Sequence, residues 1–360
     1  MSLFQDNQLQ VSRLNLGIFV MHPEFAGLAY QRTDNDSVLK TVEIRHQDLK
    51  SPVYKNSPVH WAVSSKSARH WDLTELEPDD FDFLHELRAD SCTGYAVIPL
   101  FGTHRRVHVL SLATKQPGGF SAEKWKEFQE FARQLAMLVD TLAVYHLAEV
   151  MLGLYVGKQT GSRVLSGAVQ RGQGDIIEAV VLVSDMKGYT QLCANISSKE
   201  TIDVLNQFFE RICLPIEEKG GEILKFMGDA VLAIFPSNGD PIEEACRRAL
   251  VATRLAHQRL RETPLTLTNG SPLQVTAGFA LHVGQFHYGN IGTSSRLDFT
   301  AIGPAVNLAS RIESKSRSLD TDILCTKRFA DLAGVTGKNL GFQRLKGIPE
   351  PIQIIGLIRS

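Results

Sequence analysis

Two stretches constrain this chain more than any other. They are Val181-Leu-Val-Ser-Asp185-Met-Lys-Gly-Tyr-Thr190 and, with its aspartate 44 positions further on, Lys225-Phe-Met-Gly-Asp229-Ala-Val-Leu-Ala-Ile-Phe235. Short apolar runs that give way to glycine read as buried strands, so each carboxylate should emerge at a strand end or turn. Between them Ile202, Leu205, Phe208, Phe209 and Ile212 recur at three- and four-residue spacing. That predicts an amphipathic helix over Thr201 to Cys213, returning the chain beside its first strand. The Gly220-Gly221 pair between apolar flanks predicts a hairpin turn joining two antiparallel strands. Asp185 and Asp229 are then expected on neighbouring strand ends. Two such carboxylates repel unless protonated or bridged by cations, and Mg²⁺ shared between carboxylates and substrate phosphates is the common solution. Taken singly, either aspartate also fits a turn residue or a helix cap.

With 360 residues the chain has room for two domains, and a formal net charge of -1 gives no reason to expect nucleic acid as a partner. Cys92, Cys193, Cys213, Cys246 and Cys325 are scattered and form no CxxC pair, which points to a reduced compartment. The N-terminus lacks the pattern of a signal peptide, and no uninterrupted apolar run approaches the roughly 20 residues of a spanning helix. The expectation is a cytoplasmic protein without a membrane span.

Before residue 120, Leu16 to Met21, Val38 to Ile44, Gly94 to Leu100 and Val107 to Leu112 read as strands, the last two as a hairpin across Gly102 to Arg106. Pro58 to Ser64 and Asp79 to Leu87 read as helices. His60, His70, His85, His104 and His108 have irregular spacing, which suits solvated or packing side chains better than haem or metal ligands. Ser121 is placed to cap a helix in which Phe128, Phe131, Leu135, Leu138, Leu142 and Tyr145 alternate at three and four residues, the pattern of a coiled-coil seam. Beyond Phe235, Pro241 to Leu260 reads as a helix and Leu273 to Val283 as a strand, followed by an irregular glycine-rich run to Gly292. Asp298-Phe-Thr300-Ala-Ile-Gly303-Pro-Ala-Val-Asn307-Leu-Ala-Ser-Arg311 then reads as a strand and turn opening a helix, with Asn307 and Arg311 one turn apart on one face. Lys346 and Gly347 precede a closing strand, Ile352 to Ile358.

Two resemblances organise these elements. The layout of residues 1–120 resembles a GAF-type sensory domain, an antiparallel sheet with helices, which implies an unidentified small-molecule ligand or a dimerising role. Residues 121–175 form a helical linker. Residues 176–360 resemble the catalytic domain of class III nucleotidyl cyclases, through Asp185 in its Val-Ser-Asp-Met-Lys-Gly-Tyr-Thr stretch, Lys225-Phe-Met-Gly-Asp229, Gly303 to Arg311, and Lys346. That resemblance implies a ferredoxin-like βαββαβ-type domain and an adenylate cyclase converting ATP to cyclic AMP and pyrophosphate. It gives Asp185, Asp229 and the Met186 carbonyl as ligands of two Mg²⁺ or Mn²⁺ ions, and Gly188, Tyr189 and Thr190 as phosphate-binding. Asn307 would orient the ribose, Arg311 would stabilise charge at the α-phosphate, and Lys346 would neutralise the outer phosphates.

Lys225 and Thr300 occupy the family's two base-reading positions, offering a donor to adenine N1 and an acceptor to its 6-amino group. Thr300 stands where many relatives have aspartate, and its hydroxyl can also donate. Lys187 is a cation beside Asp185 that would compete with metal if it pointed inward. The family builds its site between two catalytic domains, so a homodimer with two sites is implied, regulated by the N-terminal domain. Guanylate cyclase and a nucleotide-binding module without turnover are the rival readings. Gly220-Gly221-Glu222 is also similar to the signature of diguanylate cyclases, but Ile223-Leu224 breaks that pattern.

Overall fold

The computed structural model of the protein describes residues 11–20, 22–34, 38–103 and 106–357. The N-terminal segment, Met21, His104 and Ile358, all named above, lie outside them. Contacts divide the chain into two compact units, Met1–Met151 and Leu152–Ser360.

In the first unit β1 (Arg13–Phe19), β2 (Phe25–Thr33), β3 (Lys40–Arg45), β4 (Arg69–Asp72), β5 (Gly94–Phe101) and β6 (Val107–Thr114) form a sheet in the order β3-β2-β1-β6-β5-β4. Every pairing is antiparallel. Sequence patterning overlooks β2 and β4; β4 has four residues, of which only Trp71 is buried, too little for a periodic signal. Three helices, α1 (Pro52–Lys55), α2 (Pro58–Ser65) and α3 (Asp82–Ala89), accompany this sheet. Ala62 of α2 with Leu84 and Leu87 of α3 pack with Trp71, Tyr95 and Val97 on one face. Each large apolar side chain buried there contributes about 1.5–3 kcal/mol.

The other face is covered by α4 (Ala122–Val156), which opens where the Ser121 hydroxyl accepts the Lys124 N–H at 3.2 Å. Phe128, Ala132, Ala136 and Val139 pack against Ile98, Leu100, Leu110 and Leu112. Phe128, expected to start the coiled-coil seam, is therefore core: it is 4% exposed. The α4 face that covers the sheet runs at 128, 132, 136 and 139, and takes Phe128 out of the seam. Leu138, Leu142 and Tyr145 stay exposed. By length and composition α4 is also apolar enough to cross a membrane, with mean hydropathy 1.6 over 18 residues. Asp140 and Glu149 interrupt its apolar sequence, so α4 holds no unbroken apolar run of spanning length.

Asp140 is buried and holds α4 to the β5–β6 connection. Its Oδ2 accepts the backbone N–H and the hydroxyl of Thr103, both at 2.8 Å. Fully buried His108 accepts the Phe19 N–H on Nδ1, which leaves the proton on Nε2, 3.5 Å from Asp140 Oδ1. Burial alone would raise the Asp140 pKa, but the two Thr103 bonds and His108 outweigh it and the net shift is downward.

The second unit begins with α5 (Lys158–Leu165) and β7 (Gly174–Met186), then α6 (Tyr189–Cys193), α7 (Ser198–Glu218), β8 (Glu222–Met227), β9 (Ala230–Pro236) and α8 (Ile242–Glu262). A two-stranded ribbon, β10 (Leu265–Thr266) and β11 (Pro272–Leu273), precedes β12 (Ala277–Gly292), β13 (Leu297–Ile302) and α9 (Pro304–Glu313). The unit closes with β14 (Ile323–Thr326), α10 (Lys327–Ala333), β15 (Lys338–Gln343) and β16 (Ile352–Gly356). The sheet runs β15-β16-β14-β12-β7-β9-β8, with β13 added on β12.

Alternation along β7 divides the core. Val180, Leu182 and Met186 join Phe208, Ile212, Ala249 and Phe279 on the face of α7 and α8. Ala179, Val181 and Val183 join Leu232, Ile234, Phe286 and Ala309 on the face of α9.

Two sequence expectations are corrected. Gly220 and Gly221 end α7 instead of forming a hairpin turn: the helix continues through Pro215, Gly220 takes a left-handed φ of 73°, and the Gly221 N–H bonds Ile216 C=O at 2.8 Å. The hairpin lies one strand later, between β8 and β9. The glycine-rich run to Gly292 is not irregular either but the second half of β12, because glycine lets two backbones approach closely. A Cβ on Gly289 would meet Gln173 O at 2.4 Å and Gly174 Cα at 2.5 Å.

Candidate active site

The two aspartates meet at one end of the central strands. Asp185 is the penultimate residue of β7, paired with Ala230 of β9 and Gly278 of β12. Asp229 occupies the β8–β9 turn directly before Ala230. Burial first, then the negative charge of Asp229 and a hydrogen-bonding approach of the two carboxyl groups, raise the Asp185 pKa to about 6. Chain sterics leave room for a third acid. Gly278 carries no side chain opposite Asp185, and a Cβ there would lie 2.3 Å from Glu313 Oε1 of α9. Burial and then the Asp185 charge push Glu313 up to about 7. Glu313 was not singled out in the sequence; only its packing over Gly278 reveals it.

Lys187 neither points to solvent nor competes at the pair. Its Nζ lies 2.7 Å from Asp322 Oδ1, and Asp322 Oδ2 lies 2.8 Å from His257 Nε2. A half-buried pair of acids whose repulsion the Arg317 charge only partly offsets, with Lys187 paired to Asp322, fits a divalent cation. Gly188, with φ of 82°, turns the chain from β7 into α6, which begins at Tyr189 and contains Thr190. The Met186 side chain is buried in the core, 1% exposed.

The remaining residues come from three other elements. Asn307 and Arg311 project one turn apart from α9 and are exposed, as is Lys346 in the β15–β16 connection. None of the three has an ion-pair or side-chain hydrogen-bond partner among the described residues. Lys225 of β8 is different: its Nζ contacts Asp298 Oδ2 of β13. Thr300, two residues along the same strand, is only 6% exposed. The position of Lys225 depends on a bulge. Glu222 pairs with Ile234 and Ile223 with Ala233, but Lys225 pairs with Leu232, leaving Leu224 as the extra residue. Paired residues share a face, so Glu222 and Lys225 both lie on the α9 side with Ile234 and Leu232.

Glu222, which the sequence offered only within a likeness to the diguanylate cyclase signature, is a buried structural carboxylate. It is 5% exposed, and its Oε1 accepts the Thr160 N–H at 3.2 Å and the Thr160 hydroxyl at 3.1 Å. Its Oε2 accepts the Tyr288 hydroxyl at 2.8 Å. The carboxylate thereby ties α5 to β8 and β12.

By its sheet, helices and paired acids, the second unit is a nucleotidyl cyclase domain. Residues 173–339 match the family model of the adenylate and guanylate cyclase catalytic domain, and this part of the chain belongs to that family. An uncharacterised protein of Mycobacterium tuberculosis is 31% identical over 234 residues, 63% of this chain and 40% of that protein. An adenylate cyclase of Anabaena cylindrica is 29% identical over 160 residues, 44% of this chain and 31% of that enzyme. The chain thus spans less than half the length of either relative. A solved bacterial light-regulated adenylyl cyclase shares the fold, with a TM-score of 0.53 over 72% of this chain and 85% of that one at 18% identity.

Proposed function

We propose that the chain is an adenylate cyclase converting ATP to 3′,5′-cyclic AMP and pyrophosphate. The ribose 3′ oxygen forms a bond to the α-phosphorus, the bond from that phosphorus to the bridging oxygen breaks, and the 3′ proton departs. The observation that carries this reading is the Asp185–Asp229 pair, two half-buried acids crowded together inside a cyclase domain. With the Met186 carbonyl they would hold two Mg²⁺ or Mn²⁺ ions, whose chemistry is to acidify the 3′ hydroxyl and neutralise the triphosphate.

The remaining tasks fall to side chains. Arg311, a fixed multidentate donor, offsets charge growing at the α-phosphate, and Asn307 orients the ribose. Lys346 and the backbone of Gly188, Tyr189 and Thr190 bind the outer phosphates. Lys225 donates to adenine N1, with the acceptor for the 6-amino group supplied from β13, the strand of Thr300.

A homodimer completes two such sites, its catalytic domains sharing substrate and the exposed Leu138, Leu142 and Tyr145 of the linker helix joining a partner copy. The N-terminal unit is its regulatory part, acting through a small-molecule ligand or through dimerisation. The deciding experiment measures cyclic nucleotide formation by the purified protein from ATP and from GTP, with Mg²⁺ or Mn²⁺, beside Asp229→Ala. Cyclic AMP from the wild type alone is expected. Preference for GTP would make it a guanylate cyclase, and nucleotide binding without product would make it a binding module.

A further inference from the structure

Lys187 and Asp322, 135 positions apart in sequence, form a part-buried ion pair, 20% and 19% exposed, with Nζ 2.7 Å from Oδ1. The other carboxylate oxygen lies 2.8 Å from Nε2 of His257 on α8, a residue only 8% exposed. Because a carboxylate accepts, that nitrogen carries the ring proton. The backbone is pinned as well. The Phe279 N–H donates to Asp322 C=O at 2.7 Å, and the Lys187 N–H donates to Thr276 C=O at 2.9 Å. Contacts from α8, β12 and the end of β7 therefore fix where this one ammonium sits.

That placement bears on Asp185. The Lys187 bond to Thr276 extends the β7–β12 pairing by one step beyond Met186 and Ala277. Residues two apart along such a strand share a face at a spacing of about 6.6 Å. The four-carbon stem of lysine spans that distance. The Lys187 charge is also felt among the acids, where it opposes the rise in the Glu313 pKa. Released from Asp322, the ammonium would become a built-in counter-ion of Asp185 and Asp229, and a divalent cation would have to displace it.

We propose that Asp322, oriented by His257, is a positioning residue that withholds Lys187 from the two aspartates and so keeps them open to divalent cations. The inference rests on the reading of Asp185 and Asp229 as metal ligands and extends it to residues outside the nucleotide site.

The test follows Mn²⁺ uptake by the full-length protein without nucleotide, as loss of the free-ion paramagnetic resonance signal, beside cyclic AMP formation. Asp229→Ala marks how much uptake belongs to the acid pair. Asp322→Asn should weaken that uptake about 10-fold, the equivalent of one pKa unit of charge interaction. Adding Lys187→Gln to Asp322→Asn should restore wild-type affinity within about 2-fold, and Lys187→Gln alone should leave it unchanged. A purely structural role for Asp322 predicts no such rescue, since removing the lysine repairs no packing. Unchanged affinity in Asp322→Asn overturns the proposal, as does a double variant as weak as Asp322→Asn or a loss in Lys187→Gln alone.

If the wild type takes up Mn²⁺ but forms no cyclic AMP, the cyclase reading fails while the affinities of the variants still decide the role of Asp322. If it takes up no Mn²⁺, the metal reading and this inference fall together. Circular dichroism checks the fold of each variant. Should Asp322→Asn not fold, Asp322→Ser with and without Lys187→Gln carries the same comparison.

Discussion

Asp140 and Asp185 are both acids in the interior of a sheet-and-helix unit, and the chain treats them in opposite ways. Asp140 is given two donors from Thr103 and the Nε2 side of His108, and its pKa falls. Asp185 is given another acid, and its pKa rises to about 6. The first is a fastening, made by the two Thr103 hydrogen bonds within the protein. The second is left electrostatically unfinished, as suits a group meant to meet a cation and a polyphosphate. The same division extends to the basic groups: Lys187 is consumed by Asp322, while Arg311 has no such partner among the described residues.

The sharpest way to test that division is Arg311→Ala. Loss of one preorganised donor is expected to lower kcat by about 10²- to 10³-fold, with unfolding free energy unchanged within about 0.5 kcal/mol, since an unpaired surface side chain holds nothing in place. Steady-state kinetics and urea denaturation on one preparation would separate the two effects.

Next in size is the pH response of His282 in the second unit. Its Nδ1 lies 3.1 Å from the Thr326 hydroxyl, and burial lowers its pKa to about 4. Because that is below the unfolded value of about 6.5, its contribution to stability is full above that pH and is lost as pH falls toward 4, by at most about 3 kcal/mol. His282→Gln should flatten this part of the melting-temperature profile; an unaltered profile would place the acid sensitivity elsewhere.

Asp140→Ala strips the partners from Thr103 and His108, and a loss of about 1–3 kcal/mol is expected from the orphaned buried donors. Asp229→Asn should act in the other direction. With a chelator present at pH 7, removing one of two crowded charges should raise stability by about 1 kcal/mol or less, a small figure because both carboxylates are partly solvated. Destabilisation by Asp229→Asn would mean that the pair is a fastening after all, and the contrast with Asp140 would collapse.

What was legible in the sequence follows from range. Asp185 and Asp229 announced themselves because apolar runs and glycines are local signals, and the one-turn spacing of Asn307 and Arg311 needs only helical geometry. The β8–β9 bulge, the passage of Gly289 against Gly174 and the approach of Glu313 to Gly278 are set by strands distant in sequence. Asp298 stayed hidden for the same reason: its partner lies 73 positions away. The turn assigned to Gly220-Gly221 failed because a glycine pair marks a helix end as readily as a hairpin, and only the continuation of α7 through Pro215 distinguishes them.

The Glu222 carboxylate bears on where the catalytic part of the chain can be cut. A fragment beginning at the first strand of its sheet, Gly174, would lack Thr160 and leave a charge buried at 5% exposure with Tyr288 as its remaining hydrogen-bond donor. Stripping a partner from a buried charge costs about 3–5 kcal/mol, comparable to the whole stability of a small domain. The shortest piece able to fold as this unit therefore starts upstream of Lys158, and the preceding helix enters the catalytic unit as a structural member of it.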